Sequence, residues 1–160
     1  MSEIATQFGM SGQTLQRRLS DRGYSFYINY PPDLALPGAT DSIQAFIDKA
    51  KLSGVRHLVL LSGRGEEEAQ ACERIVQDSG TDRTIIRASW FSQNFSEGAF
   101  PEMVQAGQIT LPEVETAEPF VDVNDIAEVA TVRLTQPGHA GEIYEVTGPR
   151  MLTLTDREVA

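Results

Sequence analysis

The run "HLVLLS", residues 57–62, constrains this chain more than any other stretch. Leu58, Val59, Leu60 and Leu61 follow one another without a polar break, so neither face of such a strand can be left in water. A strand buried on both faces is the condition of a parallel sheet covered by helices on either side. The flanking pattern agrees. From Asp41 to Ser53, Ile43, Phe46, Ile47 and Ala50 recur at helical spacing, and Gly54 ends the run. Glu66 to Ser79 predicts a second helix with Ala69, Cys72, Ile75 and Val76 inward and Gly80 as its stop. Glu66, Glu67 and Glu68 sit at the positive end of that helix, where negative charge is stabilising. "FYINY" (26–30) reads as a short strand halted at Pro31-Pro32, "TIIRAS" (84–89) as a third strand and "GEIYEVTG" (141–148) as a fourth. Between the last two, Asp122 or Asn124 caps a helix holding Ile126, Ala127, Ala130 and Leu134. Repeated strand–helix units predict an α/β fold with a mostly parallel sheet of about four strands and helices on both faces.

Residues 1–26 follow another pattern. Ile4, Ala5 and Phe8 share a helical face, Gly9 supplies a turn, Ser11 is a good N-cap, and Leu15 and Leu19 form the buried face of a second short helix. "IATQFGMSGQTLQRRL" followed by "GYSF" resembles the first helix-turn-helix of AraC/XylS-type transcription regulators. That resemblance implies DNA binding, with Gln13, Gln16 and Arg17 facing the major groove and Arg18 at phosphate or solvent. On the residues alone, an amphipathic hairpin with a solvated polar face is equally open. The long linking helix and second helix-turn-helix of that family are missing from the sequence. Charge opposes DNA as well: Glu3 and Asp21 against Arg17, Arg18 and Arg22 leave this segment at +1 within a chain of net charge −10.

"YPPDLALPGA", "SGVRHLVLLSGRGEEEAQ", "IIRASWFSQNFSEG", "EPFVDVNDIAEVA" and "HAGEIYEVTGP" resemble, in order, the NmrA-like branch of the atypical short-chain dehydrogenases, and most of all the subgroup related to ergot alkaloid biosynthesis reductases. The resemblance spans residues 27–160 and implies the second half of a Rossmann-type NAD(P)-binding fold, beginning at its fourth strand. It divides the chain into an AraC-like fragment, 1–26, and an NmrA-like domain, 27–160. By resemblance, Tyr30, Pro31, Ser62, Gly63, Ala88 and Ser89 lie on the cofactor side. Trp90, Phe91 and Phe95 give apolar walls to a substrate pocket, with Gln93 and Asn94 as polar handles, although core packing is an open reading for the aromatic residues. NAD(P) is the implied cofactor, with weak or absent binding, because the glycine-rich phosphate loop of the family's first half is missing. The nearest substitute, "SGRGEEE" (62–68), puts Glu68 where the third glycine belongs. Three functions therefore stay open: an impaired oxidoreductase unit, a DNA-binding regulator with an α/β body, or a gene remnant with neither activity.

Several chemistries are excluded or weak. The tyrosines are 24, 27, 30 and 144, and four residues beyond them stand Ile28, Pro31, Leu34 and Gly148, so no Tyr-x-x-x-Lys dyad exists. A metal or a Cys72–His pair has no support from His57 and His139, which lie far apart in sequence. Asp122 and Asp125 read as a helix cap and its third-position partner. With one cysteine, no apolar run of 18 residues and no signal peptide, the chain reads as cytoplasmic, with no membrane partner. A strand at Tyr27–Tyr30 lacking its family neighbour would expose a pairing edge, from which self-association or a partner chain is expected.

Overall fold

The computed structural model describes residues 24–31, 33–98, 100–109 and 116–153. The expected helix-turn-helix, with Gln13, Gln16, Arg17 and Arg18, lies outside the described residues. The remainder is a four-stranded sheet in the order β1 (Ser25–Ile28), β2 (His57–Gly63), β3 (Asp82–Ala88), β4 (Ile143–Val146), every neighbouring pair parallel. Helix α1 (Ala39–Leu52) joins β1 to β2, and α2 (Glu67–Gln77) joins β2 to β3. A 3₁₀ turn (Ser92–Phe95), a short helix α3 (Pro101–Gln105) and α4 (Val123–Thr135) precede β4.

The double-sided burial expected of β2 is present. Leu58, Val59 and Leu60 are each fully buried, at 0% exposure. Leu58 and Leu60 pack with Ile43 and Ile47 of α1 and Cys72 and Val76 of α2, while Val59 packs on the opposite face with Ile86, Val121, Ile126 and Ala130. A fully buried aliphatic side chain contributes roughly 1.5–3 kcal/mol, so β2 ties both layers of the fold together. Gly54 and Gly80 take left-handed φ of 73° and 75° after α1 and α2, as their placement predicts.

The ends of elements differ from the sequence reading. β1 is Ser25–Ile28 rather than 26–30, so Asn29 and Tyr30 belong to the loop beyond it, and Ser25 and Phe26 belong to the sheet. The fourth strand shortens from 141–148 to Ile143–Val146 because β4 pairs with β3 alone and stays half exposed. At the start of α4, Asp122 is the N-cap, its side chain accepting from Asn124 N. The reciprocal bond expected from Asp125 is replaced by Gln93, whose Nε2 donates to Asp122 Oδ1 (3.0 Å) and whose Oε1 accepts from Val123 N (3.1 Å). No helix among the described residues is long and apolar enough to cross a membrane.

Two loops close over the C-terminal ends of the strands. Phe91 and Val121 form a parallel bridge, and Glu118 and Leu152 an antiparallel one. Gly148 N donates to Pro119 O at 2.9 Å, and a Cβ at residue 148 would overlap the Phe120 carbonyl, so only glycine permits this approach.

Candidate functional site

A cleft of about 390 Å³ opens at the C-terminal ends of β1, β2 and β3, where open α/β sheets bind ligands. Of the residues singled out in the sequence, Tyr30, Ser62, Gly63, Ala88, Ser89, Trp90, Phe91 and Asn94 line it. Pro31, Gln93 and Phe95 do not. Pro31 is exposed beside the cleft. Gln93 is consumed in capping α4. Phe95 packs beneath the wall, its ring 5.6 Å from that of Phe100 and 5.5 Å, edge-on, from that of Phe120. Its place in the wall is taken by Phe100, stacked on Trp90 with ring centres 6.0 Å apart. Asn29, Asp33, Leu34, Leu61, Arg64 and Glu66 also reach the cleft and had not been singled out as ligand-side residues.

The polar groups along the floor are held by neighbours. Ser62 Oγ donates to Glu73 Oε1 at 2.7 Å, within a carboxylate that is 2% exposed. Arg87 holds that carboxylate with Nε 3.0 Å from Oε1 and Nη2 2.7 Å from Oε2. Glu73 comes from α2, and Arg87 and Ser62 are paired in register across β3 and β2. A hydrogen bond to Glu73 raises the Arg87 pKa further above its ordinary value. Ser89 Oγ donates to Glu118 Oε2 at 3.0 Å. Arg64, at the mouth, pairs with Glu145 at 3.2 Å in an exposed bridge of small energetic value.

Glu66 is the exception. It is the N-cap residue of α2, yet its side chain makes no capping bond. Its carboxylate instead lies over Gly63, filling the space a Cβ there would occupy. Burial, with the charges of Asp33 and Glu68, pushes its pKa above the ordinary glutamate value.

Other candidate nucleophiles and metal ligands gather elsewhere. Cys72 is buried, and burial pushes its thiol pKa up, away from the thiolate. His57 and His139 meet near the opposite ends of the strands: Thr84 Oγ1 donates to His139 O (2.7 Å) and is 2.9 Å from His57 Nε2. No group of three His, Cys, Asp or Glu suited to a metal occurs among the described residues.

The donor set can be compared with the two ends of a dinucleotide. Toward an uncharged aromatic ring the cleft offers the apolar Leu61, Ala88, Trp90 and Phe91, with Asn94 as a polar residue beside them. A pyrophosphate does not fit the described residues. The helix N-terminus nearest the cleft, that of α2, carries Glu66, Glu67 and Glu68, which oppose an anion where the dipole would favour one.

No protein-family model matches the chain. Among curated proteins it is 30% identical over 149 residues to prestalk A differentiation protein A of Dictyostelium discoideum, covering 92% of this chain and 48% of that protein. It is 33% identical over 129 residues to the NAD(P)H azoreductase of Xenophilus azovorans, covering 73% of this chain and 45% of that enzyme. It is 34% identical over 136 residues to the agroclavine dehydrogenase of Claviceps fusiformis, with coverage of 79% and 45%. Among solved structures, the triphenylmethane reductase of Citrobacter sp. complexed with NADP(H) superposes with a TM-score of 0.72 at 17% identity, over 100% of this chain and 64% of that one. The structural likeness establishes a Rossmann-like α/β fold. The chain spans less than half the length of the curated relatives it matches. The azoreductase and the dehydrogenase among those relatives point to NAD(P)H-dependent oxidoreductases.

Proposed function

We propose that this chain, whose homologues point to NAD(P)H-dependent oxidoreductases, forms the nicotinamide and substrate side of an NmrA-like enzyme of that kind, nearest the ergot-alkaloid-reductase subgroup. The observation that carries the reading is the cleft itself: two parallel strands, β2 and β3, deliver Ser62, Gly63, Ala88 and Ser89 to one end of the sheet, against a stacked Trp90–Phe100 wall.

NAD(P)H, when bound, supplies a hydride. The chain's residues supply the rest. Ala88 and Leu61 would give the ring an apolar bed, and Ser62 and Ser89, whose hydroxyl protons go to Glu73 and Glu118, would accept hydrogen bonds at its edge. Trp90, Phe91 and Phe100 offer a flat surface to an uncharged, conjugated acceptor. The described residues provide no phosphate cradle, and the "SGRGEEE" loop opposes one, so dinucleotide affinity of this chain is weak.

Following NADPH and NADH fluorescence during titration tests the affinity, and consumption of millimolar NADPH with menadione tests the activity. Saturable binding at micromolar concentration would overturn the impaired-affinity claim, and absence of NADPH consumption would overturn the oxidoreductase reading. The second reading, DNA binding of the AraC type through residues 1–26, is favoured by the "TLQRRL" stretch alone.

A further inference from the structure

The cleft contains one ionisable group held by no hydrogen bond or ion pair among the described residues. Arg64 is engaged by Glu145, Ser62 by Glu73, Ser89 by Glu118, and Asp33 Oδ1 accepts from Ala35 N at 2.9 Å. Glu66 has only the space above Gly63, at the end of the strand that carries Ser62. A helix-cap residue would ordinarily turn its oxygen back to the first free amides of the helix. Glu66 turns toward the cleft instead, and glycine at 63 is what lets it do so.

We propose that Glu66 is the proton donor of this cleft, acting on the acceptor that is reduced there. The proposal rests on the oxidoreductase reading above and supplies the acid that the missing Tyr-x-x-x-Lys dyad leaves open. The acceptor is an uncharged conjugated double bond, such as a quinone, suited to the aromatic wall. It gains a hydride, with its electron pair, at one end of the conjugated system, and negative charge collects on the heteroatom at the other end. The Glu66 carboxyl O–H bond breaks, its proton passes to that heteroatom, and Glu66 is left as carboxylate. Water at the open mouth of the cleft returns the proton. One hydride and one proton thus convert the quinone to a hydroquinone, and NAD(P)H is the only reductant needed.

The surroundings favour the protonated acid. Partial burial acts first to keep the Glu66 proton on, and the charges of Asp33, from the loop after β1, and Glu68, from α2, add to it. Arg64, on its own loop, is turned to Glu145. The wall opposite offers Trp90, Asn94 and Phe100, none of them charged. General acids of this kind contribute about 10²- to 10⁴-fold in rate.

The test uses the full chain with carboxyl-¹³C glutamate, comparing wild type with Glu66→Gln so that the missing resonance identifies Glu66. Its titration midpoint is expected above that of the exposed glutamates, and menadione is expected to move the resonance. An ordinary midpoint, or a resonance indifferent to menadione, overturns the proposal. In parallel, millimolar NADPH and menadione are followed from pH 5 to 8. Wild-type turnover is expected to fall as pH rises through the Glu66 midpoint. Glu66→Gln should lose about 10²-fold in kcat with that limb flattened and menadione KM unchanged, and Glu66→Asp should recover part of the rate. An active wild type matched by an equally active Glu66→Gln overturns the donor role alone. An inactive wild type overturns the oxidoreductase reading and the donor role together.

Discussion

Arg87 and Glu73 meet through two near-parallel hydrogen bonds, Nε to Oε1 at 3.0 Å and Nη2 to Oε2 at 2.7 Å, with the carboxylate wholly inside the protein and the guanidinium at its margin. Removing one member strands the other: a buried charge without its partner costs about 3–5 kcal/mol, less here because the Arg87 side chain keeps 25% of its exposure. Arg87→Ala is therefore expected to lower unfolding stability by about 2–4 kcal/mol in urea denaturation. Glu73→Gln should cost less, since the amide oxygen still accepts from Arg87. A larger loss for Glu73→Gln than for Arg87→Ala would contradict this arrangement.

Glu66 makes an opposite contribution. Its pKa is raised in the folded chain, so the stability it adds is complete below the unfolded glutamate value and is lost as pH rises through the folded one. Above its folded value it is a charge the fold holds at a cost. Glu66→Gln should melt above wild type at pH 7, and the gap should close at about pH 4, at or below the ordinary glutamate pKa. Calorimetry at the two pH values decides it.

His57 gives the reverse pH dependence. Burial lowers its pKa, His139 adds to that, and Asp82 opposes it. Thr84 spends its only proton on the His139 carbonyl, so its oxygen accepts from His57 Nε2–H, which fixes the neutral tautomer. A depressed folded-state pKa means that its contribution is present above the unfolded histidine pKa of about 6.5 and is lost as pH falls from there toward the folded value. Thermal melts of wild type should decline below pH 6.5, and His57→Gln should show a shallower decline.

Much of this fold could be read directly, and the reasons are specific. β2 has no polar residue between Leu58 and Leu61, so its double burial had one solution. The cleft lies where any parallel sheet ends its strands. What escaped the reading were polar residues whose role depends on a partner distant in sequence. Glu73 sits in the middle of an amphipathic helix and is charged, which reads as solvent-facing until Arg87 is known to stand across from it. Gln93 looked like a substrate handle because its partner, Asp122, is 29 residues away. Glu66 looked like one of three equivalent dipole-stabilising acids, and only the missing side chain at Gly63 separates it from Glu67 and Glu68.

The outer edge of β1 carries the next prediction. Among the described residues β1 pairs with β2 alone, and Tyr27 on it is 37% exposed. We expect this chain to self-associate or take up a partner strand along Ser25–Ile28, because open backbone donors and acceptors beside an aromatic side chain recruit other strands. Light scattering after size exclusion should show association, reduced by Tyr27→Lys. A sharp monomer peak for wild type would refute it.

DNA binding should be weak. A segment at +1 in a chain of net −10 makes few phosphate contacts against its own field. In mobility-shift assays, whatever complex forms should disappear between about 50 and 200 mM salt. Tight specific binding that is lost in Arg17→Ala and Gln16→Ala would instead promote the regulator reading.

The contact between Gly63 and Glu66 also couples what these two positions can do. With glutamate at 66, alanine at 63 pushes the carboxylate aside, a shift that the far end of a flexible side chain makes cheaply, and no left-handed backbone forbids alanine there. Once residue 66 is shortened to serine or alanine, the same Gly63→Ala step no longer meets that carboxylate. A single methyl group at 63 therefore moves the acid without removing it, so position and charge at this corner of the cleft can be changed independently.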